Sequence, residues 1–175
     1  MFNLFRFCWA VRPPACGTIC YHSVRHSCVF TRVCGITAWQ KGQVLLNVLL
    51  LSMPDSFEHM PPHAIRMPNG ALTSLAGNVD PQHYVAVADL ILVQRQVRET
   101  VTRLVSELNP EIVGLSVMTF QRRTAGRIIE LVRALRPGVK IVVGGYDPSL
   151  APEAYEEMGV DYLVRSEGEV TFREL

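Results

Sequence analysis

Residues 112–147, IVGLSVMTFQRRTAGRIIELVRALRPGVKIVVGGYD, decide the fold of this chain. A β-branched run at 112–117 predicts a strand, and apolar residues then recur at the spacing of one helical face. A second strand at 140–143 stops at the glycine pair Gly144 and Gly145. A strand, a helix and a strand in this order form a βαβ unit, which normally pairs its strands in parallel.

Three further strands are predicted outside this unit. An apolar run at 44–52 is typical of a central strand that is buried on both faces, 84–90 alternates as a strand, and 161–164 forms a short one. Helices are predicted at 70–77, 93–108, 152–158 and from 170 onwards. We therefore expect an α/β domain with five strands. Ligands of such parallel sheets bind beyond the carboxyl ends of the strands, which directs attention to the loops 116–119 and 144–149.

Composition indicates one folded domain. The chain has 175 residues, 49% of them hydrophobic, which is enough for one α/β core. Residues 1–54 contain five basic side chains and no acidic one, whereas residues 55–175 contain 12 basic and 16 acidic ones. A mildly acidic folded part is poorly suited to nucleic-acid backbones, and the apolar run at 44–52 is too short to cross a bilayer. We expect neither nucleic-acid nor membrane partners.

All five cysteines and both tryptophans fall within the first 39 residues. This segment shows neither the alternation of apolar and polar residues typical of a strand nor the apolar stripe typical of a helix. We therefore predict a disordered or spurious extension at 1–43 and the domain at 44–175. A metal site is one alternative, since Cys16 and Cys20 have the CxxxC spacing, but the next cysteine of a CxxxCxxC motif would fall at Ser23. A basic targeting peptide is another, although a clean apolar core with a cleavage site is lacking. The domain contains no cysteine, which fits a reducing, cytoplasmic location.

Four segments carry a resemblance to a known family: VLLLSMP at 48–54, NPEIVGLSVMTF at 109–120, IVVGGYDPSLAPE at 141–153 and VDYLVRSEGEVTFREL at 160–175. Through them, residues 44–175 resemble the N-terminal cobalamin-binding domain of B12-dependent radical SAM enzymes. The last segment is the most specific, because a strand, an arginine, an EGE turn and a TF-x-EL helix start typically close that domain. The resemblance implies a flavodoxin-like (Rossmann-like) doubly wound sheet, with the corrinoid over the strand ends and its nucleotide tail against the sheet.

The resemblance also implies a set of cofactor-binding residues: Ser116, Met118, Thr119, Gly144, Gly145, Tyr146, Pro148, Glu167 and Gly168. The glycine pair removes side chains beside a strand, as a bulky tail requires, although such a pair can also simply end a strand. Ser116 is a lone hydroxyl in an apolar strand, which can bond the tail base or a neighbouring carbonyl. Glu167, Gly168 and Glu169 can contact corrin amides, or they can cap and begin the last helix.

The chain departs from the older cobalamin pattern after its first strand. Mutase-type domains present a histidine in a DxHxxG loop there, whereas residues 55–59 read DSFEH, with the histidine at a different spacing. Many radical SAM relatives lack that histidine. His59 is a candidate cobalt ligand, with His63 as an alternative, but a loop histidine is more often merely solvated. Relatives also often carry histidine at the Tyr146 position and glycine at the Ser166 position, which affects expected contacts and not the fold.

The function implied is a module that holds cobalamin, as methylcobalamin, for methyl transfer or another radical reaction in a downstream radical SAM domain. The cofactor carries the chemistry and the protein positions it. No CxxxCxxC motif occurs in the 175 residues. A 4Fe–4S cluster and S-adenosylmethionine are therefore expected only in a missing C-terminal domain, and the chain is expected to be a fragment of a methyltransferase-like enzyme, inactive alone.

A flavodoxin-like or receiver-like binding or signalling domain without cobalamin is the alternative, because one fold serves many functions. A receiver requires an aspartate at the end of its third strand, where this chain has Val117, Met118 and Thr119. A nucleotide-type GxGxxG motif is also missing from the sequence. A truncated reading frame whose product has no independent role is a third alternative. The cobalamin module is the function that these residues favour.

Overall fold

Six strands form one sheet in the computed structural model, which describes residues 8–11, 45–55, 57 and 69–175. In chain order the strands are β1 (Cys8–Val11), β2 (Asn47–Ser52), β3 (Tyr84–Asp89), β4 (Ile112–Ser116), β5 (Lys140–Gly144) and β6 (Tyr162–Val164). Their lateral order is β1-β3-β2-β4-β5-β6. Strands β2 to β6 pair in parallel, whereas β1 pairs antiparallel with β3. The predicted five-stranded, doubly wound parallel sheet is confirmed, and β1 is an additional edge strand.

Six α-helices lie in the described part of the chain. They are α1 (Gly70–Asn78), α2 (Val97–Leu108), α3 (Arg122–Leu135), α4 (Tyr146–Leu150), α5 (Glu153–Glu156) and α6 (Glu169–Arg173). Two 3-10 segments, Leu90–Gln96 and Thr119–Gln121, lead into α2 and α3. The buried apolar residues of α2 and α3 belong to one hydrophobic cluster and those of α1 and α6 to another, so the two pairs of helices cover opposite faces of the sheet.

Strand β2 is buried on both faces, as the apolar run predicts. Leu49 and Leu51 belong to the cluster beneath α2 and α3, whereas Val48 and Leu50 belong to the cluster beneath α1 and α6. All four side chains are at most 3% exposed. Because successive side chains of a strand point to opposite faces, an unbroken apolar run suits a central strand and no other position in this sheet.

The βαβ unit folds as its sequence pattern predicts. β4 and β5 pair in parallel from Ile112 opposite Lys140 to Ser116 opposite Gly144. The helix between them buries one stripe of side chains against the sheet, at Thr124, Ala125, Ile128, Ile129 and Val132. Since β4 and β5 end at the same level, the loops that follow them meet at one edge.

Two local predictions differ from the structure. The helix predicted at 93–108 starts as α2 only at Val97, because the preceding 3-10 segment begins at a cap in which the Asp89 carboxylate accepts from the Ile91 N–H at 3.1 Å, and Val93 breaks the helical backbone. Residues 146–150, predicted as a loop, form α4. Its Asp147 is fully buried and anchored by hydrogen bonds, which orders a segment that proline and glycine mark as irregular.

Several sequence predictions fall outside the described residues. Of the predicted extension 1–43, the structure describes only the backbone of β1, which pairs with the sheet. Cys16, Cys20, His59 and His63 are not described, so the metal-site alternative and the proposed cobalt ligand stay predictions. Among the helices that are described, none has the length and apolar character needed to span a membrane.

Candidate functional site

A cleft of about 180 Å³ lies between α1 and α6 at the carboxyl end of the sheet. Five of the residues predicted from the sequence line it: Ser116, Gly144, Gly145, Glu167 and Gly168. The walls are apolar and come from three strands and both helices: Leu50, Leu72, Leu75, Val142, Val164 and Phe172. The site therefore lies where ligands of open parallel sheets bind, at the ends of adjacent strands.

The two glycines of the pair have different roles. A Cβ at Gly144 would meet the Val164 carbonyl oxygen at 3.4 Å, an ordinary contact, so a side chain there would occupy the cleft. Gly145 has φ 109°, and a Cβ there would lie 2.7 Å from the carbonyl oxygen of Val117. Gly145 is thus required by the backbone, because L-residues rarely adopt this φ and the loop after β4 passes too close. Gly144 leaves space for a ligand.

Ser116 contributes a hydroxyl to the lining of the cleft. It ends β4 beside Gly144 of β5 and is partly exposed. Among the described residues the Ser116 hydroxyl has no hydrogen-bond partner, whereas the Ser52 hydroxyl, one strand away in the same row, donates to the Asp89 carboxylate. A polar group at the end of an apolar strand that lacks a protein partner is available to a ligand.

Asp147 joins the loops on both sides of the cleft mouth. Its buried carboxylate accepts from Arg122 Nε at 2.6 Å and Nη2 at 2.7 Å, and from the Tyr155 hydroxyl at 2.6 Å. The backbone N–H of Asp147 also donates to the Val117 carbonyl at 3.2 Å. These contacts connect the start of α3, the loop after β4, α4 and α5. They hold Gly144 and Ser116 at a fixed separation.

Electrostatics favour the charged form of this carboxylate. Hydrogen bonds from Arg122 lower the pKa of Asp147 to about 2, against the opposing effect of burial, and Tyr155 and Thr119 assist. Burial raises the pKa of Tyr155, and its bond to Asp147 adds to the effect. Tyr155 is therefore a neutral donor at neutral pH, and the Asp147 carboxylate is an anion with every strong partner in place. Such a group stabilises the loops and is not a proton donor.

The turn before α6 forms the outer wall of the cleft. Ser166 has φ 63°, a left-handed conformation that glycine adopts without strain and other residues adopt less readily. Glu169 opens α6 and accepts from the Ser74 hydroxyl at 2.8 Å, a bond that lowers the pKa of Glu169. Arg173 pairs with Asp80 at 2.5 Å. Both links connect α6 to α1 or the turn after it, so the two helices close the cleft from above.

Four predicted residues lie at the same edge but do not line the cleft. Met118 and Tyr146 are 46% and 59% exposed, on the segments that follow β4 and β5. Thr119 helps to lower the pKa of Asp147, and Pro148 is buried within α4. Met118 and Tyr146 offer apolar surface beside the cleft mouth, whereas Thr119 and Pro148 serve the loop structure.

A family model described as "B12 binding domain" matches residues 62–175. The chain belongs to the B12-binding domain family. This result agrees with the resemblance found in the sequence. The matched residues include α1, α6 and all of the residues described above as lining the cleft except Leu50 of β2.

Relatives of this B12-binding domain include much longer proteins. The "Uncharacterized methyltransferase PH0819" of Pyrococcus horikoshii is 29% identical over 106 residues, which are 59% of this chain and 23% of that protein. The structure of the radical S-adenosylmethionine methyltransferase TsrM from Kitasatospora setae matches 73% of this chain and 24% of its own, at 26% identity and a TM-score of 0.60. The cobalamin-dependent S-adenosylmethionine radical enzyme OxsB matches 74% of this chain and 18% of its own, at 25% identity and a TM-score of 0.56.

The cleft of this B12-binding domain has the chemistry that the nucleotide tail of cobalamin requires. The tail ends in a planar aromatic base, which suits apolar walls with a few polar groups. Gly144 leaves the space that the tail would occupy, and Ser116 offers a hydroxyl without a protein partner among the described residues. The residues present therefore fit the cofactor of the family.

Three features of the site were not predicted from the sequence. Gly114 lies opposite Leu50 and Val142, and a glycine inside a strand is a signal of close approach that the sequence does contain. Phe172 closes the inner end of the cleft, where its ring would lie 3.7 Å from a Cβ at Gly114. The bond between Arg122 and Asp147 joins residues 25 positions apart, and no spacing rule could have found it.

Proposed function

We propose that this B12-binding domain holds cobalamin with the nucleotide tail in the cleft between α1 and α6, and presents the corrin to a radical SAM catalytic domain of the same protein. The observation that carries the proposal is the cleft itself. It combines the open space at Gly144, the available hydroxyl of Ser116 and apolar walls at the ends of β4 and β5.

The residues of the chain have distinct tasks in this proposal. Ser116 bonds the tail base and fixes its orientation. Asp147, with Arg122 and Tyr155, holds the two loops that flank the entry. Cobalamin supplies a cobalt centre that carries an alkyl group, and the protein binds, orients and shields it. The exposed side chains of Met118 and Tyr146 would lie nearest the corrin ring.

The proposed catalytic partner rests on the relatives. The chain spans 23% of the length of the curated relative and 24% of the TsrM chain, both of which are called methyltransferases. No CxxxCxxC motif occurs in the 175 residues, so the iron–sulfur cluster and S-adenosylmethionine would bind to the other domain. We propose methyl transfer as the reaction of the whole protein, in the cytoplasm.

The direct test is corrinoid binding by the full 175-residue chain. The protein is mixed with hydroxocobalamin, passed through a desalting column and examined by visible spectroscopy. We expect the corrinoid to coelute, with the spectral shift that accompanies departure of the nucleotide base from cobalt. The same spectrum reports whether a histidine replaces the base, and loss of that signature in His59→Ala would assign the ligand. A folded wild-type protein that elutes colourless would contradict the proposal.

A pair of glycine variants tests the position of the tail. Gly144→Leu places a side chain in the cleft without a backbone clash and should abolish coelution. Gly138→Leu is the matched control, since Gly138 lies in an exposed turn with no atom within 4 Å of an added Cβ. It should bind as wild type. Normal binding by Gly144→Leu, with both variants folded by circular dichroism, would place the tail elsewhere.

A further inference from the structure

The inner end of the cleft differs chemically from its mouth. Leu50, Gly114 and Val142 lie opposite one another on β2, β4 and β5, two residues before the row that contains Ser116 and Gly144. Leu50 and Val142 are 0% and 3% exposed, and Phe172 of α6 covers this row at 8%. The polar lining side chains, Ser116, Ser166, Glu167 and Glu169, all lie at or beyond the strand ends.

The backbone of this inner row, formed by Leu50, Gly114 and Val142, offers no free hydrogen-bonding group to a polar ligand atom. β2, β4 and β5 are paired on both sides by neighbouring strands, and the registers run without a break through Leu50, Gly114 and Val142. Their N–H and C=O groups are therefore used within the sheet. Among the residues that the structure describes, a ligand atom that reaches this row meets only carbon atoms, apart from backbone groups that already have partners.

We infer that the domain selects among cobamides by the base of the nucleotide tail, and that it favours cobalamin over a cobamide with a purine base. This inference rests on the proposed function. Dimethylbenzimidazole carries two methyl groups on the ring edge remote from its attachment, whereas adenine carries an exocyclic amine. The methyl groups suit Leu50, Val142 and Phe172. The amine would lose its water and find no acceptor.

Val142 is the residue that we assign to this selection, and Ser116 is not. Both bases have ring nitrogens that a serine hydroxyl can reach at the strand end, so Ser116 orients either base without distinguishing them. Val142 lies in the inner row, and threonine has nearly the same volume. Val142→Thr therefore adds one acceptor and donor to the inner wall while keeping its shape.

The experiment measures dissociation constants of the full chain by titration calorimetry. The ligands are cobalamin, adeninylcobamide and cobinamide, which lacks the nucleotide, each in its dicyano form so that the base is already free of cobalt. We expect cobalamin to bind at least about tenfold more tightly than adeninylcobamide, because burial of the adenine amine without an acceptor costs at least that much. We also expect cobinamide to bind more weakly than cobalamin. Val142→Thr should reduce the preference between the two cobamides several-fold.

Val143→Thr is the matched control. It makes the same change one residue along β5, in the cluster on the opposite face of the sheet, and should leave the preference unchanged. Equal binding of cobalamin and adeninylcobamide by the wild type would overturn the inference. An equal change in the preference between these two cobamides in Val142→Thr and Val143→Thr would also overturn it. If Val142→Thr does not fold, the wild-type preference decides alone. Failure of every corrinoid to bind would instead overturn the proposed function, and the inference with it.

Discussion

Asp147 is the residue on which the geometry of the cleft mouth most depends. Its carboxylate is fully buried and accepts three hydrogen bonds from Arg122 and Tyr155. A buried carboxylate with these partners is stabilising, whereas removal of its charge leaves three donor groups aimed at a weaker acceptor. The loops at the ends of β4 and β5 should loosen together when this residue changes.

Asp147→Asn should lower the free energy of unfolding by about 2 kcal/mol at pH 6, the loss typical of a hydrogen bond to a charged group. The pKa of Asp147 is lowered to about 2 in the folded state, from about 3.9 when unfolded. Its contribution is therefore complete above about pH 4 and is lost as the pH falls towards 2. Urea unfolding at several pH values measures the difference in the free energy of unfolding between variant and wild type. This difference should shrink as the pH falls from about 4 towards 2.

Glu107→Gln is the control for that series. Glu107 pairs with Arg103 at 3.3 Å on the surface of α2, and the two side chains are 59% and 47% exposed. An exposed helical ion pair contributes under about 0.5 kcal/mol. A loss in Glu107→Gln as large as that in Asp147→Asn would mean that removal of any carboxylate is sufficient, and that the buried network has no special role.

Gly145→Ala should destabilise the fold even though alanine is small. Its φ of 109° and the 2.7 Å approach of the Val117 carbonyl force the backbone to shift, at a cost of at least about 1 kcal/mol. Gly77→Ala offers the opposite case, since Gly77 lies in α1 with open space around it. It should stabilise by roughly 0.5 kcal/mol. Thermal unfolding of both variants checks these signs, and a neutral Gly145→Ala would show that the loop can adapt.

At the scale of single residues, the sequence predicted the residues that line the cleft better than the side-chain contacts that hold its loops in place. Ser116 and Gly144 are recognisable because each interrupts an apolar strand. Asp147 ends the stretch 112–147 that decides the fold, but its partners Arg122 and Tyr155 are brought to it only by the packing of α3 and α5. Sequence periodicity reports which face of an element is buried and contains no information on which side chains meet between elements.

The element that closes the cleft, α6, is five residues long and too short to be stable alone. Phe172 is its one buried residue and packs among Leu50, Leu72 and Val164 in the smaller hydrophobic cluster. The pair between Arg173 and Asp80 is on the surface, with side chains 57% and 34% exposed. We therefore expect packing of the ring to stabilise this helix more than the surface ion pair does.

Phe172→Ala should accordingly raise the rate of amide hydrogen exchange in residues 169–173 by more than tenfold, since losing a buried aromatic side chain costs about 3 kcal/mol. Arg173→Ala should change this rate by less than about threefold, because exposed ion pairs contribute little. Exchange followed by mass spectrometry gives both values. Strong exchange in Arg173→Ala with protection in Phe172→Ala would assign the anchoring to the ion pair.

Prediction of elements succeeded where a pattern was long. β4, α3 and β5 were predicted from one uninterrupted stretch, and their bounds differ from the structure by a few residues. α4 was missed because its five residues include Pro148 and follow two glycines, the usual signs of a loop. Its order comes from the buried Asp147, a tertiary effect that local propensity does not contain.

At the scale of the whole molecule, the two faces of the sheet differ in how many side chains they bury. The larger cluster, between the sheet and α2 and α3, carries most of the buried side chains, and the cleft lies on the other face. The five parallel strands followed from the sequence, and so did the meeting of the loops after β4 and β5 at one edge of the sheet. β1 did not, because its four residues show no alternation that distinguishes them from their surroundings.

In the part of the chain that the structure describes, the outermost strands of the sheet are also its shortest. β1 has four residues and β6 has three, whereas β2 and β3 in the interior have six. Open edges are where β-proteins recruit foreign strands and begin to aggregate, and a short edge presents few backbone groups to a newcomer. A sheet that tapers in this way can sit beside other folded units in one polypeptide without fusing with their sheets or with copies of itself.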